Sequence, residues 1–274
     1  MEKISVVGAG TMGASIALVF AKGGYEVTLA DISVDLVKRG YERIKKMLER
    51  KRERDVSEIL QRIVATDDME KCSESGLVIE AASENLSVKQ KIFTELEKIV
   101  NKDTLLATNT SSISITEIGI CLEYKQRFLG MHFFNPATAM KLVEVICGEY
   151  TDQRHAARIV DIASGLGKTP VIVKESAGFV VNRILIPMIN EAIAIYAEGM
   201  ASAQDIDIAM KLGANHPMGP LALGDLIGLD IVLEIMKVLH TEMGDDKYRP
   251  HPLLKKMVRA GKLGNKTGIG FFVH

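Results

Sequence analysis

The hexapeptide Gly8-Ala9-Gly10-Thr11-Met12-Gly13 constrains this chain more than any other stretch. It follows a short apolar run, Ile4-Ser5-Val6-Val7, and opens a helical pattern carrying Ile16, Ala17, Val19 and Phe20. A continuous apolar run of that length suits a strand buried on both faces of a parallel sheet. The glycines permit the tight turn and let the backbone approach a pyrophosphate at the helix N-terminus. On glycines alone, a tight turn in another α/β fold fits as well. Here a second strand, Glu26 to Ala30, ends in Asp31, 18 residues after Gly13. A carboxylate there accepts from both ribose hydroxyls of NAD and repels a 2′-phosphate, so Gly8, Gly10, Thr11, Met12, Gly13 and Asp31 are read as an NAD site, with NADP disfavoured.

Strand-like and helical runs then alternate. Further strands are predicted over Leu77 to Ala82, Leu105 to Thr108, Arg127 to His132, Lys141 to Ile146 and Thr169 to Val173. Capping signals stand between them: Ser33, the boxes Ser87-Val88-Lys89-Gln90 and Ser114-Ile115-Thr116-Glu117, and the C-terminal signal Gly165-Leu166-Gly167. Beyond Gly178 the pattern is helical throughout, over Phe179 to Glu198, Ser202 to Leu212, Pro220 to His240 and Pro252 to Ala260. The expected architecture is an α/β Rossmann-type domain with a doubly wound, mostly parallel sheet over residues 1–178, then a smaller all-α domain over residues 179–274. The first helix of the second domain is apolar nearly all round and contains Pro187, so a kinked, buried helix facing a second subunit is expected. The glycine-rich end, Gly261 to Phe272, reads as a tail tied down by aromatics.

Composition removes several functions. Basic and acidic residues balance at 34 and 35, which argues against nucleic-acid binding. Cys72, Cys121 and Cys147 show no C-x-x-C spacing, so no disulfide framework, no metal site and a reducing compartment are expected. The first apolar run is too short for a signal-peptide core. The long apolar stretch Leu221 to Leu239 carries Asp225, Asp230 and Glu234, which are costly in a bilayer. A cytoplasmic protein without membrane contact is the expectation.

Chemistry concentrates in Gly130-Met131-His132-Phe133-Phe134-Asn135-Pro136 and in Glu144, 12 residues after His132. If the two runs are neighbouring strands, the carboxylate orients the imidazole and the pair is a general base. A histidine satisfied by backbone groups beside a turn is the alternative. Glu84 and Asn109-Thr110-Ser111-Ser112 lie at carboxyl ends of predicted strands, where doubly wound sheets bind ligands. The hydroxyls there also fit plain turn and cap roles. The helical hairpin predicted over about 34–62 carries Arg39, Arg43, Lys45, Lys46, Arg50, Lys51, Arg52 and Arg54, with Glu42, Glu49 and Glu53 interleaved. It reads either as a solvated face with i,i+4 pairs or as a patch for a phosphorylated ligand.

Taken together, Asn109-Thr110-Ser111-Ser112, Met131-His132-Phe133-Phe134-Asn135-Pro136, Met140-Lys141-Leu142-Val143-Glu144-Val145 and Gly178-Phe179-Val180-Val181-Asn182-Arg183 resemble the L-3-hydroxyacyl-CoA dehydrogenase family, nearest its short 3-hydroxybutyryl-CoA dehydrogenases. Ala209-Met210-Lys211-Leu212-Gly213 and His216-Pro217-Met218-Gly219-Pro220-Leu221 extend the likeness over the helical half. The resemblance implies that His132 is the catalytic base and Glu144 the acid that holds it, with Ser111 and Asn182 around the substrate. It adds Glu84, Lys89, Asn109 and Asn135 to the NAD site and puts Arg50 and Arg54 at the CoA phosphates. It implies an acyl-CoA substrate and a homodimer through the helical domain. The chain departs from the family in a shortened segment after Arg54, in Ser83 and Ala177, and in a tail that stops soon after Phe272.

Overall fold

The computed structural model describes residues 2–50 and 53–274; Lys51 and Arg52 of the basic run lie outside the described residues. Two compact units are present, residues 1–176 and residues 177–274.

The first unit is built on one eight-stranded sheet. Its strands are β1 (Lys3–Val7), β2 (Glu26–Ala30), β3 (Ile63–Thr66), β4 (Leu77–Glu80), β5 (Leu105–Thr108), β6 (Phe128–Phe133), β7 (Leu142–Cys147) and β8 (Thr169–Lys174). The order across the sheet is β3-β2-β1-β4-β5-β6-β7-β8. All pairings are parallel except β6 with β7. The central strands β4, β5 and β6 are buried at every residue, as their apolar runs require when helices cover both faces. The helices are α1 (Thr11–Lys22), α2 (Val34–Arg50), α3 (Val56–Gln61), α4 (Leu86–Ile99), α5 (Ile115–Gly119) and α6 (Gln153–Gly165). The buried residues of helix α2 are Val37, Gly40, Ile44 and Leu48, spaced three and four residues apart, the stripe an amphipathic helix turns inward. At Gly40 a Cβ would lie 2.7 Å from Ala9, so only glycine lets α2 approach the glycine-rich turn this closely.

Strand β3 is absent from the sequence-based reading. It is a four-residue edge strand with only Ile63 buried, and the three apolar residues Ile63-Val64-Ala65 make too short a run to mark a strand. The start of α4 is also corrected. Asn85, not Ser87, is its N-cap and accepts from the Val88 N–H at 3.1 Å, while the Ser87 hydroxyl donates to the Asn85 side chain. Ser114 caps α5 as read, accepting from the Glu117 N–H.

The second unit packs α7 (Val181–Ala197), α8 (Ala203–Gly213), α9 (Pro220–Ile227), α10 (Leu229–Met243) and α11 (Pro252–Arg259) around Ile186, Ile189, Ile193, Leu229, Val232, Met236 and Leu239. Pro187 lies inside α7. The single helix expected from Pro220 to His240 is two, because Gly228 adopts φ +102°, outside the helical region. The apolar pattern runs through the break and conceals it. Asp207 of α8 accepts from the N–H groups of Leu221 and Ala222, satisfying the first turn of α9 from outside. The tail is fastened by polar contacts as well as aromatic ones: fully buried Asp225 accepts from the N–H groups of Phe271 and Phe272 and pairs with His274 at 2.9 Å. Among the described residues, no helix is long and apolar enough to cross a membrane.

Candidate active site

Antiparallel pairing sets His132 of β6 directly opposite Glu144 of β7. Directly opposed residues project from the same face of a sheet, within reach of one another. Nδ1 of His132 lies 2.9 Å from Oε2 of Glu144, and both side chains are buried, at 5% and 1% exposure. An ionised carboxylate only accepts, so Nδ1 carries the hydrogen and Nε2 presents its lone pair. The Ser111 hydroxyl stands 3.1 Å from that Nε2. The ring of Phe134 lies against the imidazole with centroids 4.6 Å apart. A buried histidine so held can take a proton from, or return it to, a substrate hydroxyl at Nε2.

Ser111 sits in the loop between β5 and α5, and the loop is organised by Glu84. One carboxylate oxygen of Glu84 accepts from Thr110 Oγ1 at 2.6 Å, Ser111 N at 2.8 Å, and Ser112 N and Oγ at 3.1 and 3.2 Å. Its other oxygen lies 3.4 Å from Lys89 Nζ. Burial opposes ionisation of Glu84, but the charge of Lys89, the Thr110 hydroxyl and the Ser111 N–H outweigh it and hold the carboxyl below the usual carboxylate range. Lys89 is itself buried and contacts both oxygens of buried Glu80, at 2.8 and 3.0 Å. Asn109 accepts from the Phe133 N–H at 2.8 Å, joining the ends of β5 and β6 beside His132.

Three strands away along the sheet's carboxyl edge, Gly8 after β1 has φ +106° and a Cβ on it would clash with Ala81. A Cβ on Gly13 would fall 1.7 Å from the Gly8 carbonyl oxygen. A Cβ on Gly10 would meet no atom within 4 Å. Gly10 is the N-cap of α1, whose first turn has no side-chain cap and no acidic residue. The N-terminal N–H groups therefore face a cradle that a side chain at Gly10 would fill, as a pyrophosphate requires. Asp31 accepts from Ala9 N at 2.6 Å and from Ile32 N at 2.7 Å, placing its carboxylate beside that turn. The residues present fit a dinucleotide.

Asn135 is exposed and begins the turn after β6, joined to Pro136 by a cis peptide bond. Asn182 lies in the first turn of α7, in the second unit. Arg50 ends α2 and Arg54 follows in the link to α3, both exposed. Part of the basic run has local partners, with Arg43 donating to the Ala9 carbonyl and Lys45 paired with Glu42. Glu80 and Thr108 were missed from sequence. The signal was a charged residue ending an otherwise apolar strand, which demands a buried partner.

Residues 3–176 match the family model "3-hydroxyacyl-CoA dehydrogenase, NAD binding domain", and residues 178–274 match "3-hydroxyacyl-CoA dehydrogenase, C-terminal domain". The chain belongs to the 3-hydroxyacyl-CoA dehydrogenase family. It is an oxidoreductase of that family with NAD as its cofactor. Among its relatives, the 3-hydroxybutyryl-CoA dehydrogenase of Clostridioides difficile is 50% identical, over 98% of each chain. The probable 3-hydroxybutyryl-CoA dehydrogenase of Bacillus subtilis is 47% identical over 99% of this chain and 97% of its own. The crystal structure of (S)-3-hydroxybutyryl-CoA dehydrogenase from Ralstonia eutropha superposes with a TM-score of 0.96 at 46% identity, covering 100% of this chain and 99% of that one. The doubly wound sheet followed by a helical unit is thus the family fold. The crystal structure of Mycobacterium tuberculosis FadB2 superposes with a TM-score of 0.98 at 41% identity, covering 100% of this chain and 99% of that one.

Proposed function

We propose that the chain interconverts (S)-3-hydroxybutyryl-CoA and acetoacetyl-CoA. The observation that carries this reading is the fixed chain of contacts from Glu144 through His132 to Ser111, in a member of this family. The NAD held by the glycine-rich turn and Asp31 would supply the acceptor for the hydride at C3 of the substrate. His132 removes the hydroxyl proton at Nε2, and Glu144 stabilises the imidazolium that results. In the reverse direction protonated His132 hydrogen-bonds the carbonyl and returns the proton. Ser111 holds the reacting oxygen, and the resemblance gives Asn182 the same task.

Gly8, Gly10, Thr11, Met12 and Gly13 hold the pyrophosphate, Asp31 the ribose, and Asn135 borders the nicotinamide end. Glu84, Lys89 and Asn109 direct polar groups at the protein itself, so they shape that end of the NAD site. Asp31 favours NAD over NADP. Arg50 and Arg54 meet the CoA phosphates. The exposed apolar side chains of Ile184, Met200, Leu212 and Leu226 on the helical unit support a homodimer formed through it. We assign the protein to the cytoplasm and to fatty-acid or butyrate metabolism, in keeping with the cysteine usage and the substrate. Residues 1–178 then form the cofactor domain and residues 179–274 the substrate and dimerisation domain.

The deciding experiment compares acetoacetyl-CoA with free acetoacetate, following oxidation of NADH and of NADPH. Turnover of the thioester with NADH, and little of the free acid, is expected. Equal turnover of both would point to a hydroxyacid dehydrogenase that does not use CoA, and no turnover of either to a non-catalytic NAD-binding protein.

A further inference from the structure

We propose that Glu84 is a positioning residue for Ser111, anchored in the sheet by the buried Glu80–Lys89 pair. The inference rests on the dehydrogenase reading above and adds a task for residues that touch neither the base nor its acid. Ser111 belongs to a loop, and a loop residue keeps a reactive geometry only if something rigid holds it. That support is one oxygen of Glu84, which accepts from the Thr110 hydroxyl and from the backbone N–H groups of both Ser111 and Ser112. With the Ser111 N–H fixed from one side, its hydroxyl is aimed at His132 Nε2 on the other.

Glu84 is 40% exposed and follows the end of β4, so it needs an anchor of its own. Lys89 provides one. Its Nζ lies 3.4 Å from Glu84 and is seated on Glu80, a residue with no exposed surface. Glu80 in turn accepts from the Thr108 hydroxyl on the neighbouring strand and from Ala82 N, each at 2.7 Å. Glu80 and Thr108 are register partners at the carboxyl ends of β4 and β5. A buried ion pair is a weak source of stability, since apolar residues of like volume commonly do as well. This one has a geometric use: it carries rigidity from the sheet core through Lys89 and Glu84 to the loop that bears Ser111.

The test is a double-mutant cycle in Glu84 and Ser111. With acetoacetyl-CoA and NADH, Glu84→Ala should lower kcat by about 10- to 100-fold, the scale on which misplacing a reacting group is felt. Turnover is compared at saturating NADH, with the Kd for NADH measured by its fluorescence, so that any share of Glu84 in cofactor binding is separated from its effect on kcat. Glu84→Gln, which keeps an acceptor for the loop N–H groups, should recover part of the loss. In a Ser111→Ala background, Glu84→Ala should cost little more. Losses that multiply across the two sites, an unchanged kcat in Glu84→Ala, or a loss that disappears at saturating NADH would each overturn the proposal. Hydrogen exchange at Ser111 and Ser112 keeps the test independent of turnover. Faster exchange in Glu84→Ala is expected, and equal exchange overturns the positioning role even if acetoacetyl-CoA is not the substrate. If exchange quickens while the wild-type protein does not turn over acetoacetyl-CoA, the dehydrogenase reading fails and the loop support stands.

Discussion

The Asp31 carboxylate accepts the backbone N–H of Ala9 at 2.6 Å, so the acid at the end of β2 is fastened to the middle of the glycine-rich turn. It therefore fixes the turn as well as choosing between cofactors. Replacing Asp31 by alanine should raise the Kd for NADH by about 10-fold or more, the scale of a lost hydrogen bond to a charged group. The preference for NADH over NADPH should narrow at the same time, because a 2′-phosphate no longer meets a negative charge. Fluorescence titration with both cofactors measures this, and an unchanged preference would contradict it.

Gly10 and Gly13 separate cofactor binding from folding. At Gly10 a methyl group meets no protein atom, so Gly10→Ala should leave the Tm near that of the wild type while NADH binding is lost or greatly weakened. At Gly13 the same methyl falls 1.7 Å from the Gly8 carbonyl oxygen, so Gly13→Ala should destabilise the first unit as well. Overpacking of this kind typically costs about 1–3 kcal/mol. Thermal melts beside NADH titrations distinguish the two sites.

His132→Ala should lower kcat/KM by roughly 10²- to 10⁴-fold, the usual worth of a positioned acid or base, and leave NADH affinity intact. Glu144→Gln is a sharper probe. A carboxamide offers Nδ1 either a donor or a weaker acceptor, so the imidazole loses both its fixed tautomer and the stabilisation of its charged form. A loss of at least about 10²-fold in kcat is expected. Near-normal turnover by either variant would remove the pair from the mechanism.

The Glu84 carboxyl, held below the usual carboxylate range, makes stability depend on pH in acid. The folded carboxyl holds its proton less tightly than the unfolded one, so the contribution is complete at neutral pH. It fades as pH falls through the ordinary carboxylate range towards the lower folded value. The wild type should therefore melt above Glu84→Gln at neutral pH, and the gap should close as the pH is lowered. A gap that widens in acid would reverse the assignment.

How much of this could be read from the sequence depends on how local each feature is. The strand–turn–helix around Gly8 to Gly13 and the spacing to Asp31 are local, and the fold class follows from them. The meeting of His132 and Glu144 was legible as a condition, namely that two apolar runs be neighbours, and the sheet supplies the neighbour. Strand β3 was hidden because three apolar residues are too short a run and its exposed edge position leaves no alternation. Gly228 was hidden because an apolar periodicity persists across a change in φ. Lys89 and Asp225 were read singly and Glu80 was passed over, whereas their roles come from partners nine to 49 residues away in the chain. Such pairs are set by tertiary structure, and a linear pattern does not encode them.

The opposition of His132 and Glu144 lies in the hydrogen-bond ladder of β6 and β7, not in the connection between them. Their alignment is thus indifferent to the length of residues 134–141 and intolerant of any slip within the strands. One residue inserted in either strand between the pair and the rest of the ladder would turn one partner to the opposite face. Descendants of this chain can vary that connection beyond Asn135 without retuning their proton chemistry.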